Sequence, residues 1–296
     1  MTPYEKYIAK LQGLKDSSEG IIAERTVDMQ NVIYDSLMEW MDNTLEYKNG
    51  ELVATLETID LLNDFSEGFR RTITKLEPYK NAVSGFVKSL PSLGNAILDH
   101  QRKMNGIDPK KAGVSEVQKI VVSQVIDAFT GNGLNKAIVQ PLRDLLHQNI
   151  SAGTRLQDAK KALKDYVKGG NDTTGKIARY ATQTAQQAVD GYTGAINKRL
   201  MDTFPYKHMI VSGSLIATSA PQCRFAIKEL GGIITKEQWE KKVKPLGEKH
   251  GLIAGTTFEN LPLNKLHHGC RHEFTPIMLQ DSDKIGENEI FTENRN

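Results

Sequence analysis

The sequence predicts a mainly α-helical protein, a long helical body carrying a small α+β module near its C-terminal end. Three observations predict it. Apolar residues recur at three- and four-residue intervals through most of the first 205 positions, the period that lays one stripe along a helix. After Pro205 that period gives way to short β-branched runs between glycine-containing turns. Aromatic residues make up only 7% of the 296, which fits thin helical packing better than one thick core. No internal repeat is visible.

Met29, Val32, Ile33, Leu37, Trp40, Met41 and Leu45 form the first stripe. Leu56, Ile59, Leu62, Phe69 and Ile73 repeat the spacing between Leu52 and Leu76, after the polar turn at Asn49–Gly50. Gly85, Pro91 and Gly94 are expected to interrupt the helices that follow, and residues 105–109 (Asn-Gly-Ile-Asp-Pro) to form a turn and a soft boundary. Ser115 with Gln118 reads as a capping box for a helix through Val117, Ile120, Val121, Val125 and Ala128, closed by Gly131 and Gly133. Pro141 must start or kink the helix from Leu134 to Ile150. Thr154 with Gln157 reads as another box, ahead of a helix that Gly169–Gly170 stops. The stretch from Thr174 to Phe204 is expected to be the longest helix. Its thin stripe of Ile177, Ala181, Ala185, Ala188, Val189, Tyr192 and Ile196 admits close helix–helix approach.

In the module, His208–Val211 and Leu215–Thr218 flank Ser212–Gly213–Ser214 and read as a β-hairpin. Thr235 with Gln238 caps a short helix around Trp239 and Val243. Gly247 and Gly251 mark loops, and His272 to Ile277 reads as a last strand. Along the chain this gives a helical arm (1–110), a helical body with the long helix (111–204), a small α+β Cys/His module (205–277) and a flexible acidic tail (278–296).

A formal net charge of +2 conceals an uneven distribution. Residues 1–78 hold 8 basic and 15 acidic side chains, whereas residues 79–212 hold 19 and 10. An acidic arm beside a basic middle fits a scaffold that faces different partners, and equally fits ordinary solvated helix faces. Lys160, Lys164 and Lys168 share a helix face and, with Arg179, are the candidate contacts to nucleic-acid phosphates. The plainer reading is again a solvated face. No apolar run reaches membrane-spanning length, and the first residues carry charges where a secretory signal needs an apolar stretch. Two cysteines argue against a disulfide scaffold and fit folding in a reducing cytoplasm.

The densest chemistry lies at Cys223 and residues 267–272 (His-His-Gly-Cys-Arg-His). Zinc takes sulfur and imidazole nitrogen in a tetrahedral set, and Cys223, His267, Cys270 and His272 would supply Cys2His2. The alternative is a loop in which the cysteines pack as small apolar groups and the histidines bond locally. A Cys223–Cys270 disulfide is disfavoured in a cytoplasm. A thiolate–imidazole pair at Cys270 would need an orienting acid, and none is placed by the sequence. The chain has no His-Glu-x-x-His pattern, phosphate-binding loop, Gly-x-Ser-x-Gly elbow or dinucleotide fingerprint. An enzyme is therefore not expected. A zinc-dependent nuclease or toxin-like effector, and a helical DNA-binding protein, are the competing readings.

Three pieces of sequence resemble one family when taken in order. The first runs from Leu142 to Leu146 (Leu-Arg-Asp-Leu-Leu), then Asn149-Ile150 and Gly153-Thr154. The second is Ala178-Arg179-Tyr180-Ala181-Thr182 with Gly191. In the third, Thr218, Cys223-Arg224 and Leu230-Gly231-Gly232 precede Leu261-Pro262, the segment His267 to His272, and Pro276. This order resembles the phage Mu F-like head-morphogenesis proteins, minor head proteins of tailed bacteriophages, and the likeness covers roughly residues 135–277. The sequence departs from that pattern at Phe225 and Ala226, where a second cysteine is common, and at His272, which stands where a final cysteine is common. The resemblance implies a non-enzymatic virion protein of the head interior or portal region, assembled in the host cytoplasm. Its implied partners are the portal or major capsid protein and the packaged DNA, with no membrane and several copies per particle. Its implied work is head assembly, packaging or DNA ejection.

Overall fold

The computed structural model describes residues 3–170 and 173–279, and it is mainly α-helical as the sequence predicts. Helix α1 (Pro3–Thr44) runs 42 residues and is longer than any other described helix. It holds no interior proline, and its glycines at 13 and 20 each cost only about 1 kcal/mol relative to alanine. Met29, Ile33, Leu37, Met41 and Leu45 are buried from the predicted stripe. Strands β1 (Tyr47–Lys48) and β2 (Glu51–Leu52) form a tight hairpin whose turn residues Asn49 and Gly50 both have positive φ (54° and 84°). Asn-Gly suits that turn because neither residue resists the left-handed region strongly.

Helix α2 (Leu56–Lys75) starts on the Thr55 hydroxyl and buries Leu62, Phe65, Phe69 and Ile73. Helix α3 (Glu77–Asn105) then runs through Gly85, Pro91 and Gly94, where an interruption is expected from sequence. One of these residues, Gly94, serves close packing. A Cβ at Gly85 would meet Ile21 at 3.4 Å, an ordinary contact, whereas one at Gly94 would overlap the Gln118 side chain and press on Tyr192 and Ile196 at 3.0 and 3.3 Å. The predicted turn at 105–109 is present, with Asp108 capping a 3-10 turn at Pro109–Ala112.

Helix α4 (Val114–Thr130) begins one residue before Ser115, so Ser115 and Gln118 sit inside its first turns rather than forming a cap. It ends before Gly131 as predicted. The single turn α5 (Asn132–Leu134) leads into a wide five-residue turn (Asn135–Val139) and then α6 (Gln140–Ser151). The wide turn answers Pro141, which has no N–H to donate and crowds the preceding carbonyls. Helix α7 (Leu156–Lys168) is capped not by Thr154 but by backbone. Arg155 is its N-cap without a side-chain bond, and the Leu156 N–H donates to the Gly50 carbonyl in the β1–β2 turn at 2.9 Å. Gly169, at φ 93°, stops it as expected. Helix α8 (Lys176–Thr203) buries its whole predicted stripe, but at 28 residues it is shorter than α1.

After α8 come strand β3 (His208–Ser212), the short α9 (Pro221–Arg224), strand β4 (Ile233–Thr235), the turns α10 (Lys236–Gln238), α11 (Lys244–Lys249) and α12 (Leu261–Asn264), and strand β5 (Glu273–Ile277). The expected hairpin partner of β3 at 215–218 is not a strand. Arg224 takes the carbonyls of Ile216, Ala217 and Ser219 at 2.7, 2.8 and 3.0 Å, which folds that stretch into a loop. β3 instead lies between β4 and β5, antiparallel to both, with Met209 opposite Ile234 and Pro276. The Thr235–Gln238 capping box and the last strand are as predicted.

The chain forms two compact units, each drawn from separated stretches of sequence. One combines residues 17–89 and 122–187. In its core Phe86 meets Phe129 edge-on at 5.7 Å, the Tyr79 hydroxyl donates to the Phe129 carbonyl at 2.6 Å, and Gln30 donates to the Val167 carbonyl at 2.9 Å. The other combines residues 1–16, 90–121 and 188–296, and it contains the three-stranded sheet. The division expected from sequence cuts the chain at 110, 204 and 277, whereas these units interleave along it. Most of the acidic tail, residues 280–296, lies outside the described residues.

Within the sheet-bearing unit, Gln101 of α3 donates to the Pro276 carbonyl at 2.9 Å and accepts from the Tyr206 hydroxyl at 2.7 Å. Gly194 of α8 lies against α12, and a Cβ there would overlap the Pro262 carbonyl oxygen and stand 3.2 Å from its carbon. Backbone cannot swing aside as a long side chain can. Gly194→Ala is therefore expected to lose about 1–3 kcal/mol in urea unfolding, although alanine is the better helix former.

Candidate metal centre

The centre is assembled by two pieces of the sheet-bearing unit. Pro221 occupies the first turn of α9, where its missing N–H costs nothing, and sets Cys223 on a fully buried position. The second piece is the loop from Lys265 to His272. Lys265 ends α12 at φ 61°, a left-handed conformation unusual for a residue with a side chain. Gly269 is also left-handed (φ 76°), and the Cys270 N–H donates to the His267 carbonyl at 3.1 Å. These bends turn His267 and Cys270 toward Cys223.

The two sulfurs lie 3.8 Å apart. The ligand atoms of Cys223, His267 and Cys270 all fall within 4.8 Å of one another, and this group could hold a metal ion. Among the described residues no other cluster of three or more histidine, cysteine or carboxylate side chains does so. His267 Nδ1 is 2.9 Å from the His268 carbonyl. A proton on Nδ1 donates to that oxygen and leaves the Nε2 lone pair for a cation, the usual way an imidazole ligand is oriented. His272, the fourth residue expected from sequence, stands outside the converging group. It is buried, with Nδ1 3.5 Å from the Cys270 sulfur.

The thiols do not share their protons equally. The Cys223 S–H and His272 hold the Cys270 thiolate and keep its pKa below the ordinary thiol range, although burial works the other way. The Cys223 thiol is pushed up, first by donating to Cys270 and then by burial. A pair that already stabilises one thiolate is prepared for a cation. Binding one must displace the second proton.

Sequence reading misses the support beneath this loop. Lys265 Nζ reaches both the His272 carbonyl at 3.1 Å and Glu273 Oε2 at 3.4 Å, so the loop is tied at its base. The same Glu273 oxygen accepts from Lys15 of α1 at 3.0 Å, and Lys15 also pairs with Asp190 of α8 at 2.5 Å. Lys15, Lys265 and Glu273 are each 5–7% exposed, so this is a buried ionic lock. Burial raises the Glu273 carboxyl, but Lys15 and Lys265 outweigh it and hold the group below its ordinary value. Lys15 is likewise opposed by burial yet raised by Glu273 and Asp190. Lys265 and Glu273 flank the histidine–cysteine segment, two residues before it and one after, a spacing that could have drawn notice. Nothing in the sequence marks Lys15.

The candidate phosphate contacts lie in the other unit and are partly engaged. Lys160 pairs with Asp42 at 2.5 Å, and Lys168 lies over the Tyr34 ring at 4.5 Å. Lys164 and Arg179 are exposed. No helix of the described residues is long and apolar enough to cross a membrane. No family model, curated protein or solved structure matches the chain.

Proposed function

We propose that the chain is a structural minor head protein of a tailed bacteriophage, and that Cys223, His267 and Cys270 bind zinc as a staple of its sheet-bearing module. The convergence of Cys223 with the His267–Cys270 loop supports this reading. It brings together two segments whose order carries the resemblance to head-morphogenesis proteins, though 47 residues separate the cysteines. Two thiolates and one imidazole are soft ligands that suit zinc over magnesium or calcium. Both sulfurs are buried, which suits a structural ion better than a reagent open to substrate. His272 serves as the hydrogen-bond partner that orients the Cys270 sulfur.

In the particle the protein contacts the portal or the inner face of the capsid, in several copies, beside the packaged DNA. Mass spectrometry with copy counting on purified particles is expected to find it there, and particles that lack it would sink the virion assignment. Elemental analysis of the isolated chain is expected to give one zinc per molecule, and a metal-free folded chain would refute the staple. His272→Ala should weaken zinc binding about 10–100-fold in a competition titration, as loss of an outer partner does, without abolishing it.

A further inference from the structure

We propose that the groove between α1 and α2 docks a basic amphipathic helix of a protein partner. The groove has a cavity volume of ≈ 420 Å³, and its lining includes Glu39, Trp40, Leu61, Asp64, Phe65 and Gly68. Its floor is aromatic. Trp40 meets Phe65 edge-on at 4.7 Å, and Phe65 stacks on Phe69 at 4.7 Å. Leu61 on the rim is 38% exposed, and Ile59 and Leu56 on the same helix are 39% and 85% exposed. Gly68 leaves the floor open at its centre, since a Cβ there would meet nothing within 4 Å. One large apolar side chain from a partner fits such a recess.

Charge selects the partner. On α1 the acids Asp35, Glu39 and Asp42 follow one another at spacings of four and three, which places them on one exposed face, and Glu46 follows, exposed, just beyond the helix end. On α2, Asp64 lines the groove, and Glu57 and Asp60 are exposed seven and four residues before it, on the same side of that helix. Among the described residues only Asp42 of these seven acids has a basic partner, Lys160. An apolar floor between two acidic rims complements a helix with large apolar residues on one face and lysine or arginine on both flanks. An acidic partner would meet like charge on either side.

The test uses the full chain and a labelled synthetic peptide of about four helical turns, with leucines at i, i+3, i+4 and i+7 and lysines on the flanks. Anisotropy should show saturable binding that weakens with salt, and the same peptide with glutamate for lysine should bind at least about tenfold more weakly. Gly68→Leu fills the recess without an obstacle and favours the helix, so it should keep the thermal midpoint and lower peptide affinity at least about tenfold. Glu39→Lys with Asp64→Lys is the second arm, should Gly68→Leu fail to fold, and it should lower affinity comparably. No binding of the lysine peptide overturns the proposal, as does equal binding of the glutamate peptide. So does affinity unchanged in the folded Gly68→Leu variant, or in the charge-reversal variant when that one is the test. Self-association of the chain that Gly68→Leu abolishes would give the groove to a second copy, and also overturns it.

Discussion

Glu273→Ala is expected to remove about 3–5 kcal/mol of folding stability, a large share of the roughly 5–15 kcal/mol that a domain possesses. The cost is not the loss of one attraction. Two ammonium groups, Lys15 and Lys265, remain buried when their shared carboxylate goes. Lys15 keeps Asp190, but Lys265 keeps no carboxylate, only the His272 carbonyl and the face of the Phe274 ring, so Lys265 carries the larger penalty. Pairing Glu273→Ala with Lys265→Met should therefore cost less than the two changes summed, with a coupling of about 1–3 kcal/mol in urea unfolding. Strict additivity would show that the two groups do not interact. Acid provides an independent check. The folded carboxyl is held below its unfolded value of about 4.3, so its contribution is complete above that pH and is lost as pH falls through the folded value. The stability gap between wild type and Glu273→Gln, both measured in chelator, should narrow over that acid range and stay constant near neutrality.

Removing the zinc proposed at Cys223, His267 and Cys270 is expected to have the other large effect. Structural zinc contributes apparent binding energies of about 10–16 kcal/mol in small zinc-dependent peptides, and that energy is folding energy. In this chain the three-stranded sheet and the ionic lock also hold the module, so part of its order survives without metal. Chelation, or Cys223→Ala, should raise amide exchange about a hundredfold or more in residues 221–229 and 265–272, with α2 and α7 as internal references. Exchange in β3 should rise less, because that strand is bonded on both edges. Unchanged exchange in the 265–272 loop after complete removal of metal would refute the structural role.

The helical architecture is legible in the sequence wherever one stripe decides the outcome. Met29 through Leu45 and Ile177 through Ile196 are examples, since burial of every stripe residue but Val32 and Trp40 follows from spacing alone. Glycine and proline mislead where packing decides. Gly85 and Gly94 resemble breaks, yet α3 runs through both, and at Gly94 the missing side chain lets Gln118, Tyr192 and Ile196 approach. The cap at Thr154 is misread because a backbone carbonyl from a distant hairpin does the work a side chain usually does. The strand at 215–218 fails for a comparable reason, as Arg224 claims its carbonyls. Three of the four proposed ligands converge because their residue types restrict what they can do together. His272 is of the right type, but in the residue just before β5 its ring turns to the Cys270 sulfur instead. Lys15 is invisible to any local pattern, because only the tertiary fold brings it to Glu273.

The lock also imposes an order in time. Lys15 and Glu273 are 258 residues apart, so at about 5–20 residues per second the ribosome needs on the order of 10–50 s to deliver the second after the first. Throughout that interval the Lys15 ammonium lacks the carboxylate of β5, and Asp190, made 175 residues after it, is the one of its two carboxylate partners that arrives first. The stretches that make up the other unit are all synthesised by residue 187. A nascent chain can thus complete one hydrophobic core while the sheet still awaits its last strand. Translation that stops between Asp190 and Glu273 leaves Lys15 with one carboxylate where the finished protein gives it two.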